Sequence, residues 1–212
     1  MFEDVEQLIR EINSIHYQFS LDYFDTGKVD KVNLKRTIDK VPINHILDYR
    51  LKLHESINDY LMRANLDKIN YYYRVKTPES VLAKIKRYSL SIDKYPVNKW
   101  MNDIFGARII IDDTLYQQLD DMLDIWEEDY QLKNWYKRDK DDYHAYHIYF
   151  KNDSNYFFPW ELQIWSKDNL EENIINHHKY KRSFESVFKE TQNLIYLLGE
   201  DYVPYKTNKK ED

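Results

Sequence analysis

Apolar residues recur at helical spacing near the start of the chain, where Val5, Leu8, Ile9, Ile12, Ile15 and Phe19 mark one face. A break around residues 25–30, containing Gly27, separates this helix from a second pattern over 42–64 carried by Ile46, Leu47, Leu51, Ile57, Tyr60 and Leu61. The period then changes. The Tyr-rich stretch 70–75 predicts a strand, and Thr77-Pro78 predicts a helix start, with Thr77 capping free amides and Pro78 at the first helical position. That helix runs to about Tyr88 and turns Val81, Leu82 and Ile85 inward. Residues 107–111 form a strongly apolar strand, Asp112-Asp113-Thr114 punctuates it, and 114–128 place Leu115, Leu119, Met122, Leu123 and Trp126 at helical positions. Three more strands follow, at 131–136, 143–151 and 156–165, the last two joined by the turn-rich 152–155. Pro159 requires that the last of them be bulged or begin late. Residues 168–198 read as mainly helical. Strands interspersed with helices predict an α+β fold, a mixed sheet with helices before, between and after its strands.

Composition narrows the chemistry. Cysteine is absent, which excludes a disulfide scaffold and a thiol nucleophile. No apolar run is long enough to cross a bilayer, and the opening residues are acidic and amphipathic rather than a secretory leader, so the expected location is cytoplasmic, away from membranes. The net charge of −6 argues against a surface broadly coated for nucleic acid. The charge is unevenly spread. Residues 71–87 gather Arg74, Lys76, Lys84, Lys86 and Arg87 against Glu79 alone, whereas 109–130 hold acidic residues and no Lys or Arg, the pattern of a solvated helix face.

Three constellations carry candidate chemistry. In the first, Arg74 and Lys76 share a strand face, Ser80 and Lys84 share a face of the following helix, and the helix start offers free amides to a phosphate. The bland alternative is a solvated basic patch. A glycine-rich phosphate loop has no support, since glycine occurs only three times. In the second, Asp103 precedes a strand that contains Gly106 and Arg108. Asp103 either holds Mg²⁺ or caps or pairs locally; Arg108 binds phosphate, covers an aromatic base, or forms a structural pair with an aspartate. In the third, Tyr143, Ala145 and His147 share one parity while His144 and Tyr146 take the other, and Glu161 and Gln163 share a face within an otherwise apolar strand. A carboxylate there requires a metal or a buried ion pair. Trp160 and Trp165 read as packing residues. The pairs His144/His147 and His177/His178 do not make a zinc site without cysteine or convergence, and Mg²⁺ held through Asp103 and Glu161 suits the residues better.

The strings RVKTPESVLAKIKR, DIFGARI, YHAYH and ELQIW, in that order, resemble the RelA/SpoT-type nucleotide pyrophosphokinases, especially the small alarmone synthetases, over about residues 40–190. The resemblance implies a mixed sheet flanked by helices, related to nucleotidyltransferases, and three segments: a helical extension at 1–39, the synthetase-like domain at 40–200 and a flexible tail at 201–212. It implies transfer of the β,γ-pyrophosphate of ATP to the 3′-hydroxyl of GDP or GTP, with Mg²⁺ as cofactor. On that pattern Arg74 and Arg108 flank the ATP adenine, Lys76, Ser80 and Lys84 contact the donor phosphates, and Asp103 binds Mg²⁺. Glu161 lies beside the acceptor hydroxyl and helps hold the metal, Tyr143 stacks on the acceptor guanine, and His147 and Gln163 support the site. His177 and Lys181 match the motif after the catalytic strand. The chain departs from the pattern in three places: Asp142 stands where a glycine is usual, Trp165-Ser166 where Arg-Thr is usual, and the acceptor loop around WYKRDKDD is unusual. Two other functions remain in view: pyrophosphorylation of the tRNA 3′ end, as in toxic relatives, and an inactive nucleotide-sensing or interaction domain. Small relatives often assemble, so a homo-oligomer is a further expectation.

Overall fold

The structure is a computed structural model that describes residues 2–140, 142–152, 154–175 and 203–204. Two long helices, α1 (Glu3–Phe24) and α2 (Ile43–Leu61), precede the first strand, β1 (Tyr71–Val75). There follow α3 (Pro78–Ser89), a short α4 (Val97–Trp100), β2 (Phe105–Ile111), α5 (Asp113–Tyr116), α6 (Leu119–Asp129), β3 (Leu132–Lys140), β4 (Tyr143–Phe150), β5 (Trp160–Ser166) and a two-residue β6 (Val203–Pro204). The sheet order is β3-β4-β5-β2-β1-β6. Only the central β2–β5 pair is parallel, so the sheet is mixed and the fold is α+β, as the pattern predicts.

Strand alternation divides the sheet into two chemically distinct faces. One row runs Tyr73, Ala107, Leu162, Ile148 across four strands, and the rows beside it add Phe105, Trp160, Ile109 and Ile164. All are buried, and α1 and α2 close over them. The Trp160 indole donates to Asn13 of α1 (2.8 Å), and Tyr49 of α2 packs on Phe158 with ring centroids 4.5 Å apart. The opposite face carries the row Arg74, Gly106, Glu161, Tyr149 and the row Tyr72, Arg108, Gln163, His147, Tyr136. Nearly every candidate residue on the strands falls on this second face.

Several sequence expectations are corrected in detail. Leu51 (50% exposed) and Leu82 (42% exposed) lie outside the core, because neighbouring Leu53 and Val81 take the inward positions. The pattern over 114–128 is two helices, with α6 burying Leu119, Leu123 and Trp126 and turning its acidic residues outward. The WYKRDK segment is strand rather than loop: β3 runs through to Lys140. The β3–β4 turn is tight, with Asp142 at φ 57°. That left-handed conformation is the one a glycine adopts without strain and an aspartate tolerates. Pro159 acts as expected, delaying β5 until Trp160. Of the helix expected over 168–198, residues 168–169 form a turn and 170–175 are helical; 176–198 lie outside the described residues, as do His177, His178 and Lys181.

A buried polar cluster ties α1 to α2 and to the loop before β5. Tyr49 Oη lies 3.1 Å from Ser20 Oγ and 3.3 Å from His16 Nε2, and Asn152 Nδ2 lies 3.1 Å from His16 Nδ1. Burial drops the His16 pKa from 6.5 to about 3, so the ring is neutral in the fold but free to protonate once unfolded. Between those values the unfolded chain binds the extra proton, and stability falls with pH. We expect His16 to contribute a loss on the order of 1 kcal/mol per pH unit below about 6.5. Thermal melts from pH 6.5 to 5 should show a steeper decline for the wild type than for His16→Gln; equal slopes would refute it.

Candidate active site

The basic cluster forms where β1 ends and α3 begins. Thr77 Oγ1 accepts the Ser80 N–H (3.3 Å) and so caps α3, while its own hydroxyl donates to Ser80 Oγ (3.1 Å). The crossover is pinned by its backbone: Lys76 N–H donates to Ile104 O (2.7 Å), and Arg50 Nε donates to Lys76 O (2.7 Å). Lys76 and Lys84 therefore converge from strand and helix on Asp103, Nζ to Oδ2 at 2.7 Å and Nζ to Oδ1 at 2.9 Å. Lys86, by contrast, points into solvent.

Asp103 is 8% exposed. Burial raises its pKa, but Lys76, Lys84 and Arg74 outweigh burial and hold it far below the carboxylate range. Lys76 is itself drawn down, first by burial and then by Arg74 and Lys84, against the pull of Asp103. One carboxylate shared among three cations leaves positive charge to spare for an anion.

Glu161, 3% exposed, is the second centre. Oε1 accepts from His147 Nδ1 (2.8 Å) and Tyr149 Oη (2.9 Å); Oε2 accepts from Gln163 Nε2 (2.9 Å) and Arg74 Nη2 (3.4 Å). Burial raises this carboxyl too, but His147 and Arg74 prevail and bring it to about 2. The two centres meet at Arg74, whose Nη2 lies 3.4 Å from Glu161 and 3.9 Å from Asp103. Gly106 stands between Arg74 and Glu161 in the sheet register, so no β2 side chain separates them.

Arg108 donates through Nε (3.2 Å) and Nη2 (2.9 Å) to Gln163 Oε1 and lies 3.6 Å from the centroid of the Trp165 ring. Tyr143 lies edge-on to Trp165, with its hydroxyl 3.3 Å from His147 Nε2 and the Arg138 guanidinium 5.1 Å from its ring centre. The structure thus links Arg74, Lys76, Lys84, Asp103, Arg108, Tyr143, His147, Glu161 and Gln163, while Ser80 contacts Thr77 at the start of α3. His144 turns away, as its parity requires, and pairs with Asp139 (2.7 Å).

Four contributors escape the sequence reading. Tyr149 shares the parity of His147, a signal that could have found it. Tyr136 stacks on His147, with ring centroids 4.9 Å apart and planes at 3°, across a pairing that sequence does not reveal. Arg50 acts through a backbone carbonyl on another element. Lys133 bonds the Asn98 carbonyl, and burial, then Lys99 and Lys84, lower it to about 8, which adds another cation beside Lys84.

Among the described residues no three His, Cys, Asp or Glu side chains form a metal cage. The donor set does fit Mg²⁺: Asp103 and Glu161 offer hard carboxylate oxygens, and a cationic nitrogen already lies within 4 Å of both. Mg²⁺ is ordinarily held by one or two carboxylates together with substrate phosphates.

A family model described as a region found in RelA / SpoT proteins matches residues 73–185, more than half of the chain, and the protein belongs to the RelA/SpoT family. Among solved structures, the chain is similar to small alarmone synthetase 1 from Bacillus subtilis bound to its product pppGpp, at 20% identity and TM-score 0.40 over 65% of this chain and 76% of that one. A GTP pyrophosphokinase family protein from Streptococcus pneumoniae matches at 18% identity and TM-score 0.41, covering 66% and 73%. Small alarmone synthetase 2 from Bacillus subtilis matches at 18% identity and TM-score 0.39, covering 68% and 78%. No curated protein matches the chain. No helix among the described residues is long and apolar enough to cross a membrane.

Proposed function

We propose that the protein transfers the β,γ-pyrophosphate of ATP to the 3′-hydroxyl of GDP or GTP. The observation that carries this reading is the meeting of Asp103 and Glu161 at one guanidinium nitrogen of Arg74, in a cluster that Lys76 and Lys84 also join. Four cationic side chains, Arg74, Lys76, Lys84 and Arg108, accompany only two carboxylates, a local surplus matched to a polyphosphate.

In the reaction, the acceptor 3′-oxygen bonds to the β-phosphorus, the bond from that phosphorus to the oxygen bridging to the α-phosphate breaks, and AMP leaves. Lys76, Ser80 and Lys84 hold the donor phosphates, and the two lysines offset the charge that moves during transfer. Arg74 and Arg108 flank the donor base, and Tyr143 meets the acceptor base. Asp103 and Glu161 would hold Mg²⁺, which would supply neutralisation of the phosphate charge. With Arg74 engaged on the donor, Glu161 Oε2 is released to take the hydrogen bond, and then the proton, of the 3′-hydroxyl. His147 and Tyr149 keep Oε1 in place meanwhile.

Transfer to the tRNA 3′ end is the second reading, favoured by Lys137, Arg138 and Lys140 along β3, which is an edge strand of the sheet. Incubation with ATP and either GDP, GTP or tRNA, followed by mass analysis, separates the two. We expect a nucleotide product heavier by a pyrophosphoryl group, with release of AMP. A tRNA product alone would install the second reading, and nucleotide binding without any product would leave a sensing domain.

A further inference from the structure

We infer that Trp165 is a positioning residue for Glu161, governing both carboxylate oxygens through two separate chains of contact. The inference rests on the proposed role of Glu161. The first chain runs through Arg108. The Trp165 ring lies 3.6 Å from the guanidinium carbon, and that guanidinium gives two donors to Gln163 Oε1. A guanidinium has no acceptor, so the Gln163 amide must turn its oxygen toward Arg108. Its nitrogen is thereby aimed at Glu161 Oε2, which it reaches at 2.9 Å. The second chain runs through Tyr143, whose ring stands at 89° to Trp165 with centroids 5.9 Å apart. The Tyr143 hydroxyl lies on His147 Nε2 (3.3 Å), and His147 Nδ1 lies on Glu161 Oε1 (2.8 Å). The carboxylate only accepts, so Nδ1 carries a proton toward it, and the Tyr143 hydroxyl anchors the ring at its opposite nitrogen.

Trp165 is where the chains join. It is 1% exposed, and its indole nitrogen has no hydrogen-bond partner among the described residues. The ring is therefore the part in use, as a flat surface for Arg108 and an edge contact for Tyr143. Trp165 also belongs to a small cluster with Tyr143, Ala145, Ile110 and Leu170, apart from the main core. Removing its aromatic character loosens Arg108 and Tyr143 without opening that core. A freed Arg108 no longer dictates the Gln163 amide, and a freed Tyr143 no longer anchors the far side of the His147 ring.

The test compares Trp165→Leu with Trp165→Phe. The leucine variant keeps an apolar filling but loses the cation–π surface; phenylalanine keeps both. For Trp165→Leu we expect kcat to fall by ~10–100-fold, with the KM for ATP rising as Arg108 loosens, and for Trp165→Phe a rate within ~3-fold of wild type. In the Gln163→Leu background, Trp165→Leu should cost less than it does alone, since one of its two routes is already cut. Nitrogen-15 NMR of the histidine rings, with His147 assigned by its loss in His147→Gln, supplies a readout independent of turnover. The His147 Nε2 resonance should keep its wild-type position in Trp165→Phe and shift in Trp165→Leu as the Tyr143 contact is lost. Unchanged kcat and His147 resonances in Trp165→Leu, or equal damage from phenylalanine and leucine, would overturn the inference. A wild-type protein without transferase activity would overturn the proposed function instead, and the NMR comparison would then decide the role of Trp165.

Discussion

Glu161→Gln is expected to abolish pyrophosphate transfer, with a loss on the order of 10³-fold or more in kcat, while ATP binding stays within a few-fold of wild type. The side chain keeps its size but exchanges an acceptor for a donor. All four groups around Glu161, from His147, Tyr149, Gln163 and Arg74, are donors, so the new amide nitrogen faces a donor wherever it turns. On the proposed function, the variant also removes the negative charge that would complete the metal-binding pair and the acceptor for the 3′-hydroxyl proton. The Lys76 and Lys84 ion pairs with Asp103, proposed to hold the donor phosphates, stand apart from this change. The checks are steady-state turnover and calorimetric ATP binding side by side; retained turnover would remove Glu161 from the reaction. Acid stability offers a second measurement. The folded carboxyl sits at about 2, against 4.5 ordinarily, so its contribution is present above about 4.5 and disappears as pH falls through about 2. Glu161→Gln should lack that part of the acid transition.

Asp103→Asn should have the largest effect on stability. Three cations, Lys76, Lys84 and Arg74, lie within 4 Å of this one buried carboxylate. Neutralising it leaves them facing one another in a poorly solvated site, a change of about 3–5 kcal/mol for breaking a buried pair. For a chain of this length that corresponds to a melting temperature lower by on the order of 10 °C. The same vacancy of negative charge should strengthen anion binding. Inorganic tripolyphosphate is expected to raise the melting temperature of Asp103→Asn by more than it raises that of wild type, although transfer is lost. An Asp103→Asn protein as stable as wild type without added anion would contradict the shared-carboxylate account.

Much of this architecture was legible because period and punctuation are strong where the chain is amphipathic. Thr77-Pro78, the alternation in YHAYHIYF and the delay imposed by Pro159 each name a local event that local chemistry enforces. The candidate site was legible for the same reason: Arg74, Arg108, Glu161, Gln163, Tyr143 and His147 all lie at strand positions of one parity. What sequence could not supply was strand order, and with it the cross-strand partners. Nothing local says that Gly106 sits between Arg74 and Glu161, or that Tyr136 pairs with His147. The roles of Arg50, Lys133 and Trp165 depend on such long-range neighbours. The misplacements of Leu51 and Leu82 have a simpler cause: a helix stripe is wider than the surface it covers, and its margins stay wet.

The division of the sheet into an aromatic side and a charged side carries an evolutionary consequence. On β5 the two are offset by a single residue, Trp160, Leu162 and Ile164 against Glu161, Gln163 and Trp165. Loss of one codon within that run would deliver a carboxylate into the aromatic interior and expel tryptophan and leucine. Divergence along the central strands is thereby restricted to exchange of residues, and changes of length are left to connectors such as 151–159.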